Sequence, residues 1–372
     1  MPQAVLVREH ATAFDDAEAR MLKLGYKLMT ETTDPKALVR NARLAEDAGF
    51  DFVGISDHFH PWLESHGHSP FAWSVLGAIA ASTSRVGIAT GLTCPTMRYH
   101  PAIVAQAAAT IGVMSDGRFT LAVGSGERLN EHVVGLGWPA VHERQDMLRE
   151  AIEVIRRLWS GETCTHQGEY YHLDSARLYD LPEQPIPLVV GVSGDKSVQL
   201  AAEVGAGIMA VEPKRELVDD WRKAGGDGPR YGEMSLGYAT SKRRGLELVH
   251  QYMRFGAFDW SVLAELPNVG AFEAASKYVK PKDLQDEIPH GPDVEPYVES
   301  VREFVDAGFD HVVLLAVGED QEAFMRFFER ELRDALRALE PRRGDPRSGK
   351  ATHKGKRRRQ ASATSAAART SG

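Results

Sequence analysis

The 372-residue chain has two cysteines, Cys94 and Cys164, in unrelated contexts. That is too few for a disulfide framework and predicts a reducing, cytoplasmic setting. No apolar run is long enough to cross a bilayer, so no membrane span is expected. Acidic residues Glu9, Asp15, Asp16 and Glu18 stand where a secretory signal has its basic start and apolar centre. There is no G-x-S-x-G nucleophile elbow. Nor is there a dinucleotide fingerprint, because Leu129 replaces the third glycine after Gly124 and Gly126.

What remains is ordinary globular composition, 43% hydrophobic and 26% charged, with a net charge of −8. The charge is uneven: from Pro341 onward Arg and Lys face only Asp345, and no large apolar side chain follows Leu339. This stretch is expected to be a disordered basic tail over 341–372, with nucleic acid an improbable partner. An N-terminal extension is expected over 1–22 and one domain over 23–340.

Within that domain short apolar runs alternate with helical patterns, the mark of βα repeats. Strands are expected at Leu24–Leu28, Phe52–Ile55, Val86–Thr90, Phe119–Val123, Leu188–Gly191, Gly207–Val211, Ser235–Thr240 and His311–Leu315. Helices are expected at Pro35–Ala48, capped by Asp34 and ended by Gly49, and at Pro70–Ser82, Pro101–Met114 and Gln145–Trp159. Gln167-Gly168-Glu169 centres a hairpin inserted at Thr163–Leu181, and Phe255–Pro296 fits no βα unit, reading as irregular helices over one mouth. Eight strands in this rhythm predict a (β/α)8 TIM barrel with insertion segments; a doubly wound sheet is the alternative.

Active groups of such barrels follow the strands. After the second come Asp57, His58, His60 and Trp62, an acceptor, two bases and a flat apolar surface. After the third lie Gly91, Leu92 and Cys94, and after the fourth Glu127 and Asn130 on a glycine-rich turn. The turn Ser193-Gly194 opens a helix near Asp195, where free amide groups suit phosphate. His58-x-His60 also suggests a metal, but no further ligands accompany it, so no metal is expected.

Gly25-Tyr26-Lys27, Ser56-Asp57-His58-Phe59-His60-Pro61-Trp62, Cys94-Pro95-Thr96-Met97-Arg98, Gly124-Ser125-Gly126-Glu127-Arg128-Leu129-Asn130 and Leu158-Trp159-Ser160-Gly161 occur in a telling order. The chain thereby resembles the F420-dependent glucose-6-phosphate dehydrogenases among the luciferase-like barrels, over roughly Leu24–Leu339. The resemblance implies coenzyme F420, hydride transfer between an alcohol or carbonyl carbon and the deazaflavin, and a homodimer. It implies that His58 is the base, with Glu127 as competitor, and that Trp62 shields the reacting face. It assigns Asp57, Gly91, Leu92, Cys94, Asn130, Ser193 and Gly194 to the cofactor and Lys214 to the substrate.

Two departures bear on the substrate. Pro267 and Glu287 pair with the family's other phosphate-binding cations, and Glu287 would repel a dianion; Cys94 replaces a cofactor-binding threonine. Glucose 6-phosphate is therefore not the expected substrate, and a neutral alcohol fitting among Trp62, Trp73, Phe258 and Trp260 is. The rival readings are an FMN-dependent monooxygenase and a barrel that binds a flavin without catalysis.

Overall fold

In the computed structural model, which describes residues 21–340, the helix Pro35–Ala48 begins and ends where its sequence says it should. The Asp34 carboxylate accepts the Lys36 and Ala37 amides, Pro35 opens the first turn, and Gly49 closes it at a left-handed φ of 86°. Almost all of the extension expected over 1–22, and the whole tail expected from 341, lie outside the described residues.

Parallel strands β1 (Lys23–Leu28), β2 (Phe52–Ile55), β3 (Gly87–Thr90) and β4 (Phe119–Val123) follow one another in register. The antiparallel hairpin β5 (Cys164–Gln167) and β6 (His172–Ala176) interrupts the rhythm where expected. The order then resumes through β7 (Leu188–Gly191), β8 (Gly207–Ala210) and β9 (Arg230–Tyr238). Two-residue β10 (His290–Gly291) adds to the end of β9, while β11 (His311–Ala316) joins β9 to β1. The sheet is closed, a (β/α)8 barrel and not the doubly wound alternative.

Three apolar layers result. One lies between barrel and helices, and a small one, with Phe52, Ala122, Val189, Met209 and Val313, fills the interior. The third, around Trp62, Phe255 and Phe272, caps the mouth at the strands' C-terminal ends. Short helices Trp260–Leu263 and Val269–Ser276 supply much of that cap, within the region the sequence left irregular.

Several boundaries differ from the sequence reading. Helices begin at Ala72 and Val141 rather than Pro70 and Gln145, β3 begins at Gly87, and β8 ends before Val211. The largest error is β9, which starts five residues ahead of Ser235. Its first half carries Gly232, where a Cβ would stand 2.2 Å from the Phe304 ring, and Glu233, whose charge is matched inside the barrel. A glycine and a carboxylate mask a strand from any apolar-run criterion.

The helical stretch that begins at Gln321 packs back on the segment before β2: Phe328, fully buried, stacks on Phe50 with centroids 3.7 Å apart. Phe328→Ala is expected to lower unfolding stability by about 3–5 kcal/mol, read by denaturant titration. A loss below about 1 kcal/mol would show that this packing does not depend on the stack.

Candidate active site

β2 delivers Ser56, Asp57 and His58 to the mouth because its four residues are all buried and the chain leaves the sheet directly after Ile55. The Asp57 carboxylate is almost fully used. Its Oδ2 accepts from the Thr93 hydroxyl at 2.8 Å; its Oδ1 accepts from the Tyr99 hydroxyl at 2.9 Å and from Arg98 Nη2 at 3.2 Å. Arg98 also holds the Asp57 carbonyl at 2.5 Å and Glu131 at 3.4 Å. Burial pushes Glu131 up, against the pull of Arg98 and with help from Glu127, to about 7.

His58 stands between two carboxylates. Glu31 Oε1 lies 2.6 Å from Nδ1, an ion-pair contact too bent for a full hydrogen bond, and Glu127 Oε1 lies 3.9 Å from Nε2. Burial lowers the His58 pKa, yet the charge of Glu31, its contact and the weaker pull of Glu127 outweigh it, so the net shift is upward. Burial also raises Glu31, but His58 overcomes it and holds Glu31 at about 2. The Trp62 ring meets His58 edge-on at 4.9 Å and stacks on Phe255 at 5.0 Å, placing the imidazole against the cap. Asn130 fixes the loop: its Oδ1 accepts the Phe59 and His60 amides, both at 2.8 Å, while its Nδ2 donates to Glu127 at 2.5 Å.

Beside these groups the barrel end is bare backbone. The peptide Gly91–Leu92 is cis. Buried Lys27 donates to the Gly91 carbonyl at 2.5 Å and to Glu233 at 2.6 Å. The Leu92 side chain lies over Gly124 and Gly191, where a Cβ would stand 3.1 and 2.4 Å from it. Glycines at three strand ends thus let the Leu92 side chain seat close to the backbone as an apolar floor, and such a surface is of the kind a flat deazaflavin ring would pack on.

Other expected residues have partners within the chain. The Ser193 and Gly194 amides are not free: both donate to Ser197 Oγ, at 3.1 and 3.3 Å. Lys214 is engaged by Glu212. The Cys94 thiol is buried against the Thr96 hydroxyl at 3.0 Å. Trp73 does not reach the mouth; it packs on Phe119 between barrel and helices. Phe258 does pack against the Trp62 cluster, and Trp260 is exposed at the cap's surface. Among the described residues no group of three or more His, Cys, Asp and Glu is disposed to hold a metal, and the His60 ring lies against Phe59.

Sequence reasoning missed Glu31, Lys27, Glu233, Arg98 and Tyr99 as site residues. Lys27 and Glu233 carried a signal, since each is a charge inside a strand whose neighbours are buried. Glu31, in a polar turn after β1, carried none.

A family model described as luciferase-like monooxygenase matches residues 21–311. Among relatives, an F420-dependent glucose-6-phosphate dehydrogenase of Nakamurella multipartita is 36% identical over 340 residues, covering 86% of this chain and 97% of that one. Another of the same description, from Beutenbergia cavernae, is 38% identical over 344 residues, covering 86% and 99%. A solved F420-dependent secondary alcohol dehydrogenase, in complex with an F420-acetone adduct, aligns at a TM-score of 0.78 and 30% identity, covering 85% and 99%. The F420-dependent tetrahydromethanopterin reductase of Methanopyrus kandleri shares the fold at 0.70 and 21% identity, covering 85% and 99%. The closed barrel, its polar strand ends and these likenesses agree: the chain belongs to the luciferase-like monooxygenase family.

Proposed function

We propose that the protein is an F420-dependent oxidoreductase acting at the carbon of a neutral alcohol or of the corresponding carbonyl, with His58 as its base. The observation that carries this is the Glu31–His58–Glu127 array beside a glycine-lined floor. When bound, the deazaflavin accepts or returns a hydride. His58 does the proton work. Glu31 holds the Nδ1 side as the protonated one, leaving Nε2 to take the substrate hydroxyl proton. The imidazolium so formed is stabilised by Glu31 and, at longer range, by Glu127. In the carbonyl direction the same atom returns the proton. Trp62 and the cap cover one side of the imidazole.

Asp57 would act through the loop it anchors, and Cys94 through packing. Ser193 and Gly194 would meet a phosphate only if Ser197 gave up their amides. A cytoplasmic homodimer belongs to the same proposal; exposed Phe71, whose ring meets Tyr99, and exposed Ile103 four residues after Tyr99 are apolar groups a partner subunit would cover. Among the described residues no helix is long and apolar enough to cross a membrane.

The cofactor is tested by fluorescence-quenching titration. F420 is expected to bind far more tightly than FMN, and equal or tighter FMN binding would promote the monooxygenase reading.

For the base, His58→Ala is expected to lower turnover by about 10²-fold or more with cofactor affinity nearly unchanged. The pKa of His58 is raised, so alcohol oxidation falls away below a pH that lies above the ordinary imidazole value of about 6.5. Removing the charge that raises it, by Glu31→Gln, should move that limb of the kcat/KM profile to lower pH. A limb that stays in place in Glu31→Gln but vanishes in Glu127→Gln would make Glu127 the base.

Substrate choice follows from the late loops. Lys214 is already paired with Glu212, and Glu287 is exposed nearby in sequence to exposed Lys277, Lys280 and Lys282. Steady-state rates are expected to favour neutral secondary alcohols over glucose 6-phosphate, and Lys214→Ala should leave them within about twofold. A clear preference for the sugar phosphate, lost in Lys214→Ala, would show that the cation is released to bind it.

A further inference from the structure

The opposite end of the barrel, where the strands begin, contains a cavity of about 270 Å3. Barrels of eight strands are ordinarily filled by interleaved layers of side chains. Here β3 contributes Gly87, Ile88 and Ala89 to the wall, with Ile88 belonging to the core between barrel and helices, and β4 contributes Thr120. In the closed order β3 stands four strands from β9, and Tyr231 reaches across the interior to a side-chain hydrogen bond with Thr120, next to Ala89 in the sheet, so that these residues form the inner wall of the cavity. The Phe52 ring lies toward β1, over Gly25, where a Cβ would be 2.4 Å away, and so does not fill the gap. Its edge meets Tyr231 at 5.4 Å, and Tyr231 lies 4.3 Å from the His311 ring, making a continuous aromatic wall.

The rim is cationic in an unusual way. Arg118 spends its four terminal N–H groups on neutral oxygens: Thr83 Oγ1, Val86 O, Ala80 O and Thr83 O. Among the described residues neither Arg118 nor Lys23 has a carboxylate within ion-pair distance. Asp51, also in the wall, is satisfied by the Leu24 amide at 2.8 Å and Arg337 at 3.4 Å. Asp310, behind the wall, is held by Arg230 and by His311 Nδ1, which leaves His311 Nε2 as that ring's spare polar atom. Glu46 and Asp116 act on Arg118 only at longer range, and Lys23, half-buried without an ion-pair partner among the described residues, favours an anion beside it.

One layer deeper the free volume is only about 10 Å3, too little for an ordered water, between Ala122, Val189, Met209 and Val313. The cavity is therefore separated by an apolar layer from the mouth that holds His58.

We propose that this cavity is a second binding site, for a small planar aromatic carboxylate. The ring would lie on the wall formed by Tyr231, Phe52 and the Gly87–Ala89 backbone, and the carboxylate would meet Lys23 directly and the charge of Arg118 at longer range. The proposal does not rest on the F420 reading.

The test is calorimetric titration of the full chain, with and without F420, using benzoate as the probe. Saturable one-to-one binding with a Kd on the order of 0.1–1 mM is expected, not displaced by F420. Benzamide, which lacks the charge, and cyclohexanecarboxylate, which lacks the flat ring, should each bind about fivefold more weakly or worse. Ala89→Leu should abolish binding by filling the cavity, and Lys23→Met should weaken it about fivefold without disturbing any ion pair. Absence of saturable binding, displacement by F420, or a Kd unchanged in Lys23→Met would each overturn the proposal. Should Ala89→Leu fail to fold, Lys23→Met and the two analogues decide it alone.

Discussion

Charge buried at the C-terminal end of the barrel is tolerated only because each charge meets a partner there, and that pairing holds the site together. Lys27 against Glu233 and the Gly91 carbonyl, Arg98 between Asp57 and Glu131, and His58 between Glu31 and Glu127 bring together β1, the loops after β2, β3 and β4, and β9. Removing one member would leave its partner desolvated and uncompensated, a larger loss than the pair's net contribution. The floor of glycines and the position of the imidazole are consequences of this arrangement.

The electrostatics at His58 depend on two environments meeting. On one side the Trp62, Phe255 and Phe272 cap lowers the local dielectric, which strengthens the pull of Glu31 on Nδ1. On the other side Glu127 is tied by Asn130, whose carbonyl also fixes the loop carrying His58. The proton affinity and the position of the imidazole are thus set by the same few residues. The two carboxylates differ in kind: Glu31 is buried and locked to the ring, while Glu127 stands farther off and is shared with an amide.

The barrel's two mouths divide their roles by side-chain size. At the C-terminal end small residues expose backbone beneath a large apolar cap; at the N-terminal end small residues on β3 leave a chamber with a cationic rim. Between them Phe52, Val189, Met209 and Val313 form a closed layer. That layer supplies the barrel's own packing and separates the N-terminal chamber from the mouth that holds His58.

The sequence by itself determined the strand-and-helix rhythm, the hairpin insertion, the caps Asp34 and Gly49, and the placing of Asp57, His58 and Trp62 at a strand end. Each of these is written in neighbouring residues, where periodicity and turn chemistry act. Only the tertiary structure decided that Glu31 and not Glu127 makes the closer contact with His58, that the Ser193 and Gly194 amides are occupied, and that Trp73 belongs to the helix layer. It also decided where β9 begins, because Glu233 can lie inside the barrel only when Lys27, 206 residues away in sequence, is there to meet it. Pairings across such separations arise from closure of the sheet, and no local pattern of residue types encodes them.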